Sequence, residues 1–165
     1  MARFPSPATL SSMGSGEASD SSVGLQESAA HEAGHVLIAG LEGSEVEWAR
    51  AKRSGSGKTK IKDQDALEPR TQARVAVAGA VAEEVLLGGE QRSLPPNDAR
   101  LLELALGSLD DPGIDEVVIR DEVRAAVNQH QAGAVSIAEL LERRANSSVP
   151  GDELAAAREA AEREG

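Results

Sequence analysis

Two histidines one helical turn apart, with a glutamate beside the first, are the residues best placed to do chemistry in this chain: His31-Glu32-Ala33-Gly34-His35. On an α-helix, positions i and i+4 share a face, so the two imidazoles converge on one point. Such a pair can fill two corners of a tetrahedral zinc site and leave room for a third ligand and a water. Zinc lowers the pKa of that water to about 7, and Glu32, projecting at an adjacent angle, is placed to take its proton. The chemistry implied is hydrolysis of a peptide bond, with Glu32 passing the proton to the leaving amine. The same residues also admit two plainer readings, a pair of histidines packed within a helix or a metal site without catalysis. Against the first, the chain has only three histidines and two lie in this pattern.

A third ligand has to come from elsewhere. There is no cysteine and His130 is the only other histidine, so a carboxylate is expected. Glu83 and Glu84 interrupt an otherwise apolar stretch, Val75 to Leu87, where a buried carboxylate needs a partner. A zinc-bound imidazole N–H is a natural one. Asp98 follows a Pro-Pro turn, and on local grounds it reads as the N-cap of the next helix.

The elements that must carry these residues are mostly helices. Residues 1 to about 24, rich in Ser, Gly and Pro, predict a disordered tail. The domain then runs from 25 to 165, opening with a helix from Leu25 to Leu41 that Gly43 stops. Residues 44–63 alternate about a Ser54-Gly-Ser-Gly tip and predict a β-hairpin. A long helix starts near Pro69 and ends at Gly88-Gly89; apolar almost all round, it is the buried spine. A short helix is expected over Ala99–Leu106, helical periodicity over 114–145 with a break near Gly133, and a partly exposed last helix from about Pro150. Mainly α, with a small β element, is the fold class.

Composition narrows the function. With 40% hydrophobic residues but one Phe, one Trp and no Tyr, the core must be built from Ala, Val, Leu and Ile, which favours close-packed helices. A formal charge of −11, from 28 acids against 17 bases, argues against nucleic acid or anionic lipid as a partner. No run approaches the roughly 18 apolar residues of a membrane span, and no apolar segment follows the N-terminal Arg as a secretory signal requires. The absence of cysteine fits the cytoplasm.

Four stretches carry a resemblance to a known family. They are His31-Glu-Ala-Gly-His-Val-Leu-Ile-Ala, Val77-Ala-Gly-Ala-Val-Ala-Glu-Glu-Val-Leu-Leu-Gly-Gly, Asn97-Asp98 at a helix start, and Glu139-Leu-Leu-Glu with Val149-Pro-Gly-Asp-Glu-Leu. In order and spacing across roughly residues 26–155 the chain resembles the peptidase domain of the FtsH-type ATP-dependent zinc metalloproteases, the M41 peptidases. The resemblance implies that Asp98 completes the zinc site with His31 and His35. It also implies that one Glu of the Glu-Glu pair, Glu84 in preference to Glu83, orients a histidine from outside the ligand set. The hairpin would offer an edge on which an extended peptide pairs.

The departures are as specific. No Gly-x-x-x-x-Gly-Lys-Ser/Thr loop is present, Leu94-Pro-Pro replaces the family's Gly-containing turn before Asn-Asp, and the stretch from Asp98 to Asp115 is short. Without an unfoldase the domain would cut only flexible chains, unless an ATPase or adaptor acting in trans delivers substrate. The expectation is therefore a zinc metalloendopeptidase acting on unstructured proteins or peptides. The alternative is a non-catalytic metal-binding or regulatory module that keeps the peptidase fold. No interface patch marks an oligomeric state.

Overall fold

The computed structural model describes residues 15–165. Six helices and three short strands follow in the order α1 (Ser15–Leu41), β1 (Val46–Arg50), β2 (Lys58–Ile61), α2 (Pro69–Leu87), α3 (Pro96–Gly107), α4 (Glu116–Gln129), α5 (Gln131–Arg143), β3 (Val149–Pro150) and α6 (Gly151–Glu164). The fold class is as expected. Among the described residues no helix is long and apolar enough to cross a membrane.

Three features differ from the sequence reading. The first helix starts at Ser15 rather than Leu25, so residues 15–24 of the expected tail are helical, and residues 1–14 lie outside the described part. The break in the 114–145 stretch falls at His130, not near Gly133. Gly133 lies inside α5, where a Cβ would come within 2.7 Å of the Arg158 Cγ on α6, so it serves close packing rather than a turn. The sheet also has a third strand. Val149 and Pro150 pair antiparallel with Ala49 and Trp48, giving the order β2-β1-β3 with β2 at an edge.

The core is aliphatic. Ala29, Ala33 and Leu37 of α1 meet Ala73, Val77 and Val81 of α2, while Ile119 and Val123 of α4 and Ile137 and Leu141 of α5 close the other sides. Small side chains let α1 and α2 cross very closely. A Cβ on Gly34 would stand 2.2 Å from the Ala78 carbonyl oxygen, so only glycine fits that crossing. The partners that α1 offers to α2 follow from this contact.

A charged cluster fastens one end of the helix pair. Arg74 bonds Glu42, just past α1, at 2.6 Å and Glu122 of α4 at 2.9 Å, and Arg70 joins the same Glu122 carboxylate. Burial alone would raise the Glu122 pKa, but the two guanidinium groups more than offset this and hold it below its ordinary value of 4.5. A depressed carboxylate stabilises the fold above its unfolded pKa and loses that contribution as pH falls through the folded value. Glu122→Gln should therefore cost about 1 kcal/mol at pH 7, read by thermal or urea unfolding. The penalty should shrink below pH 4.5 and vanish in strong acid, where the wild-type carboxylate is protonated in both states. A penalty independent of pH would show that the ion pairs carry no stability.

Candidate metal centre

α1 and α2 bring the two histidines to the same patch of α2. Residues 75, 79 and 83 lie four apart and so share a face. His35 Nδ1 donates to the Val75 carbonyl at 2.8 Å, and His31 Nδ1 bonds Glu83 Oε1 at 2.6 Å. Between these anchors lies Gly79, where a Cβ would sit 2.4 Å from the His31 ring. The ring rests directly on the α2 backbone.

The Val75 contact fixes the tautomer of His35. A backbone carbonyl only accepts, so His35 carries its proton on Nδ1 and turns the Nε2 lone pair toward His31. His31 meets a carboxylate through each ring nitrogen, and in the neutral ring a proton held on Nδ1 by Glu83 likewise leaves Nε2 as an acceptor. Asp98 enters from the first turn of α3, placing Oδ2 2.9 Å from His31 Nε2 and 3.3 Å from His35 Nε2; the two Nε2 atoms are 3.1 Å apart. With His31 neutral and its proton on Nδ1, three acceptors would face one another across this small triangle, an arrangement that a shared proton or a metal ion can satisfy. A tetrahedral zinc with ligand distances of about 2.0–2.1 Å requires donor atoms roughly 3.3 Å apart, so the triangle fits within a few tenths of an ångström.

The protonation of the metal-free cluster reflects the same need. Burial alone would lower the His31 pKa, but its bonds to Asp98 and Glu83 outweigh burial and raise it from 6.5 to about 10. Asp98 moves oppositely: burial would raise its pKa, yet His31 and His35 hold it well below the usual carboxylate range. A proton on His31 thus satisfies the acceptors that face it, and a metal ion entering the same set would have to displace it.

Glu32 is 4% exposed and turns away from α2, toward the hairpin. Its Oε2 accepts from the Thr59 hydroxyl of β2 at 2.5 Å. One helical turn earlier, Ser28 Oγ accepts from the Lys52 N–H, and a Cβ on Gly57 would stand 2.7 Å from both Ser28 Oγ and Glu32 Cγ. The hairpin therefore lies tight along α1 beside the histidines. Glu32, Thr59, the histidines and Asp98 line one cavity of about 510 Å³, walled also by Ile61, Val75 and Leu101.

His31, His35 and Asp98, all expected ligands, are brought together, with Glu32 lining the same cavity. Asp98 is not an N-cap; Pro95 takes that position and the Asp98 side chain is free to reach the histidines. Glu84 is a correction. Successive helix residues point about 100° apart, so when Glu83 faces α1, Glu84 faces α4. There Glu84 bonds Arg120 at 3.1 Å, Arg124 at 2.9 Å and the Arg92 backbone N–H at 2.8 Å. The residue that orients His31 is Glu83, itself held by Arg92 at 3.0 Å. The four-residue spacing back to Gly79 was the available signal for this choice. Thr59 and the Val75 carbonyl had no such signal.

No protein-family model matches the chain, and no curated protein matches it.

The two neighbouring glutamates separate metal binding from stability. Glu83→Gln is expected to weaken zinc about 10–100-fold, measured by competition with a chromogenic chelator, with little loss of fold. Glu84→Gln should leave zinc affinity within a factor of a few and lower the melting temperature, because it removes the nearer carboxylate of the buried Arg120 and leaves only the longer contact to Glu116. The reverse pattern would return the orienting role to Glu84.

Proposed function

We propose that this chain is a zinc metalloendopeptidase that cleaves unstructured proteins or peptides, with His31, His35 and Asp98 as ligands and Glu32 as general base. The observation that carries this reading is the convergence of three potential ligand atoms, no more than 3.3 Å apart, in a cavity that Glu32 also lines. The M41-like order of motifs supports it. An ion in this set supplies Lewis acidity toward water and the scissile carbonyl.

The protein's own groups do the rest. The Val75 carbonyl and Glu83 hold both rings with Nε2 turned inward. Glu32, largely shielded from solvent, receives the proton of the attacking water and delivers it to the departing amine. Thr59 steadies that carboxylate from β2. The same strand is a sheet edge and lines the cavity, so its free backbone groups can pair with an extended peptide and set it across the site. A cavity of this size takes a single extended chain, so a folded substrate needs prior unfolding by a partner such as an ATPase or adaptor.

Loaded with zinc, the protein should hydrolyse casein, and Glu32→Gln should reduce the rate by about 10²–10⁴-fold while retaining its zinc. A protein that holds zinc in the His31, His35 and Asp98 set but turns over neither casein nor a peptide library would favour the regulatory module.

A further inference from the structure

The net charge of −11 conceals a local reversal. From Trp48 to Lys62 there is no acidic residue, while Arg50, Lys52, Arg53, Lys58, Lys60 and Lys62 are six of the chain's 17 basic residues. The hairpin folds this segment so that its two faces differ. Ala49 and Thr59, directly opposite each other, face α1 and the Glu32 carboxylate. Trp48 opposite Lys60, and Arg50 opposite Lys58, therefore share the other face.

Arg50 and Lys58 form the unusual pair. Like charges directly opposite in an antiparallel ladder destabilise it. Among the described residues neither has an ion-pair partner, whereas Lys60 and Lys62 reach Glu47 and Glu45. Both cations lean on the single tryptophan: the Arg50 guanidinium lies 5.4 Å from the Trp48 ring centroid and the Lys58 ammonium 6.0 Å. The Arg50 Nε is buried there without a hydrogen-bond partner. Stacking on an aromatic face offsets part of the repulsion but supplies no counter-charge.

We propose that this outer face of the β1–β2 hairpin docks an acidic, extended peptide segment. Side chains on alternate residues of an extended chain are spaced about 6.6–6.8 Å apart, the spacing that separates the Trp48–Lys60 and Arg50–Lys58 pairs along the strands. A carboxylate over the Arg50–Lys58 pair supplies the missing counter-charge, and one at that interval along the chain meets Lys60, which among the described residues otherwise pairs only with the exposed Glu47. The rest of the chain is strongly acidic and would repel a long polyanion, so a short peptide fits better than nucleic acid. The docking face backs the strand that lines the candidate metal centre, yet the proposal does not depend on catalysis.

The test uses the full chain without metal and its sole tryptophan as reporter. A short peptide alternating Glu or Asp with Ser is titrated against the protein at low salt, beside its Gln/Asn counterpart and a single-stranded RNA oligomer. The acidic peptide should change Trp48 emission saturably and bind more weakly as salt rises, and the Gln/Asn peptide should leave the emission unchanged. Arg50→Gln with Lys58→Gln should weaken binding about ten-fold or more, with circular dichroism confirming the fold. Lys58→Gln alone, which relieves the opposed charges, should melt no lower than wild type and still bind less tightly. Equal binding by wild type and both variants, or by both peptides, overturns the proposal. So does tighter binding of the RNA, or self-association at low salt that the double variant abolishes, since each assigns the face to a different occupant.

Discussion

The close crossing of α1 and α2 is the contact on which everything else rests. At Gly34 there is no room for a single added carbon beside the Ala78 carbonyl, and at Gly79 the His31 ring takes that room. Interiors pack as densely as organic crystals, so an added methyl at such a crossing forces the helices apart rather than being absorbed. The composition follows from this. A core of Ala, Val and Leu with almost no aromatic residues lets two helix backbones run close enough for a carbonyl of one to orient an imidazole of the other.

Asp98, the third member of the candidate set, depends on a different support. Asp98 stands at the start of α3, separated from α2 by a connection with little regular structure. That connection is held by Glu84, which accepts from the Arg92 backbone, and by Arg120, which bonds both Glu84 and the Arg92 carbonyl. Arg120 and Glu84 are nearly buried, where a charge pair is tolerated only if its hydrogen bonds are complete. The adjacent glutamates therefore serve one centre by separate routes, Glu83 by orienting a histidine and Glu84 by fastening the segment that delivers the aspartate. Two carboxylates side by side in an apolar helix are explained by the two directions in which their partners lie.

Much of this was legible in the residues. The four-residue histidine spacing, the Pro69 start and Gly88 end of α2, and the alternating hairpin are local patterns, and the structure keeps them. What was not legible depends on contacts distant in sequence. The phase that separates Glu83 from Glu84 is set by α1 and α4, the third strand exists only because Val149 returns to Ala49, and α5 includes Gly133 because α6 packs there. The start of α1 departs from expectation for a compositional reason: Ser and Gly lower helix propensity, but they do not forbid a helix whose later turns are anchored in the core. The basic hairpin lay in plain view, averaged away by the acidic total.

The two imidazoles differ in one respect that bears on how such a centre changes over time. His31 is oriented by a side chain, and a single codon change at position 83 can alter or remove that partner. His35 is oriented by the main-chain oxygen of Val75, which every amino acid possesses. No replacement at position 75 can delete that acceptor while α2 persists as a helix. One ring is therefore open to gradual tuning of its basicity by drift, and the other is insulated from it by the backbone.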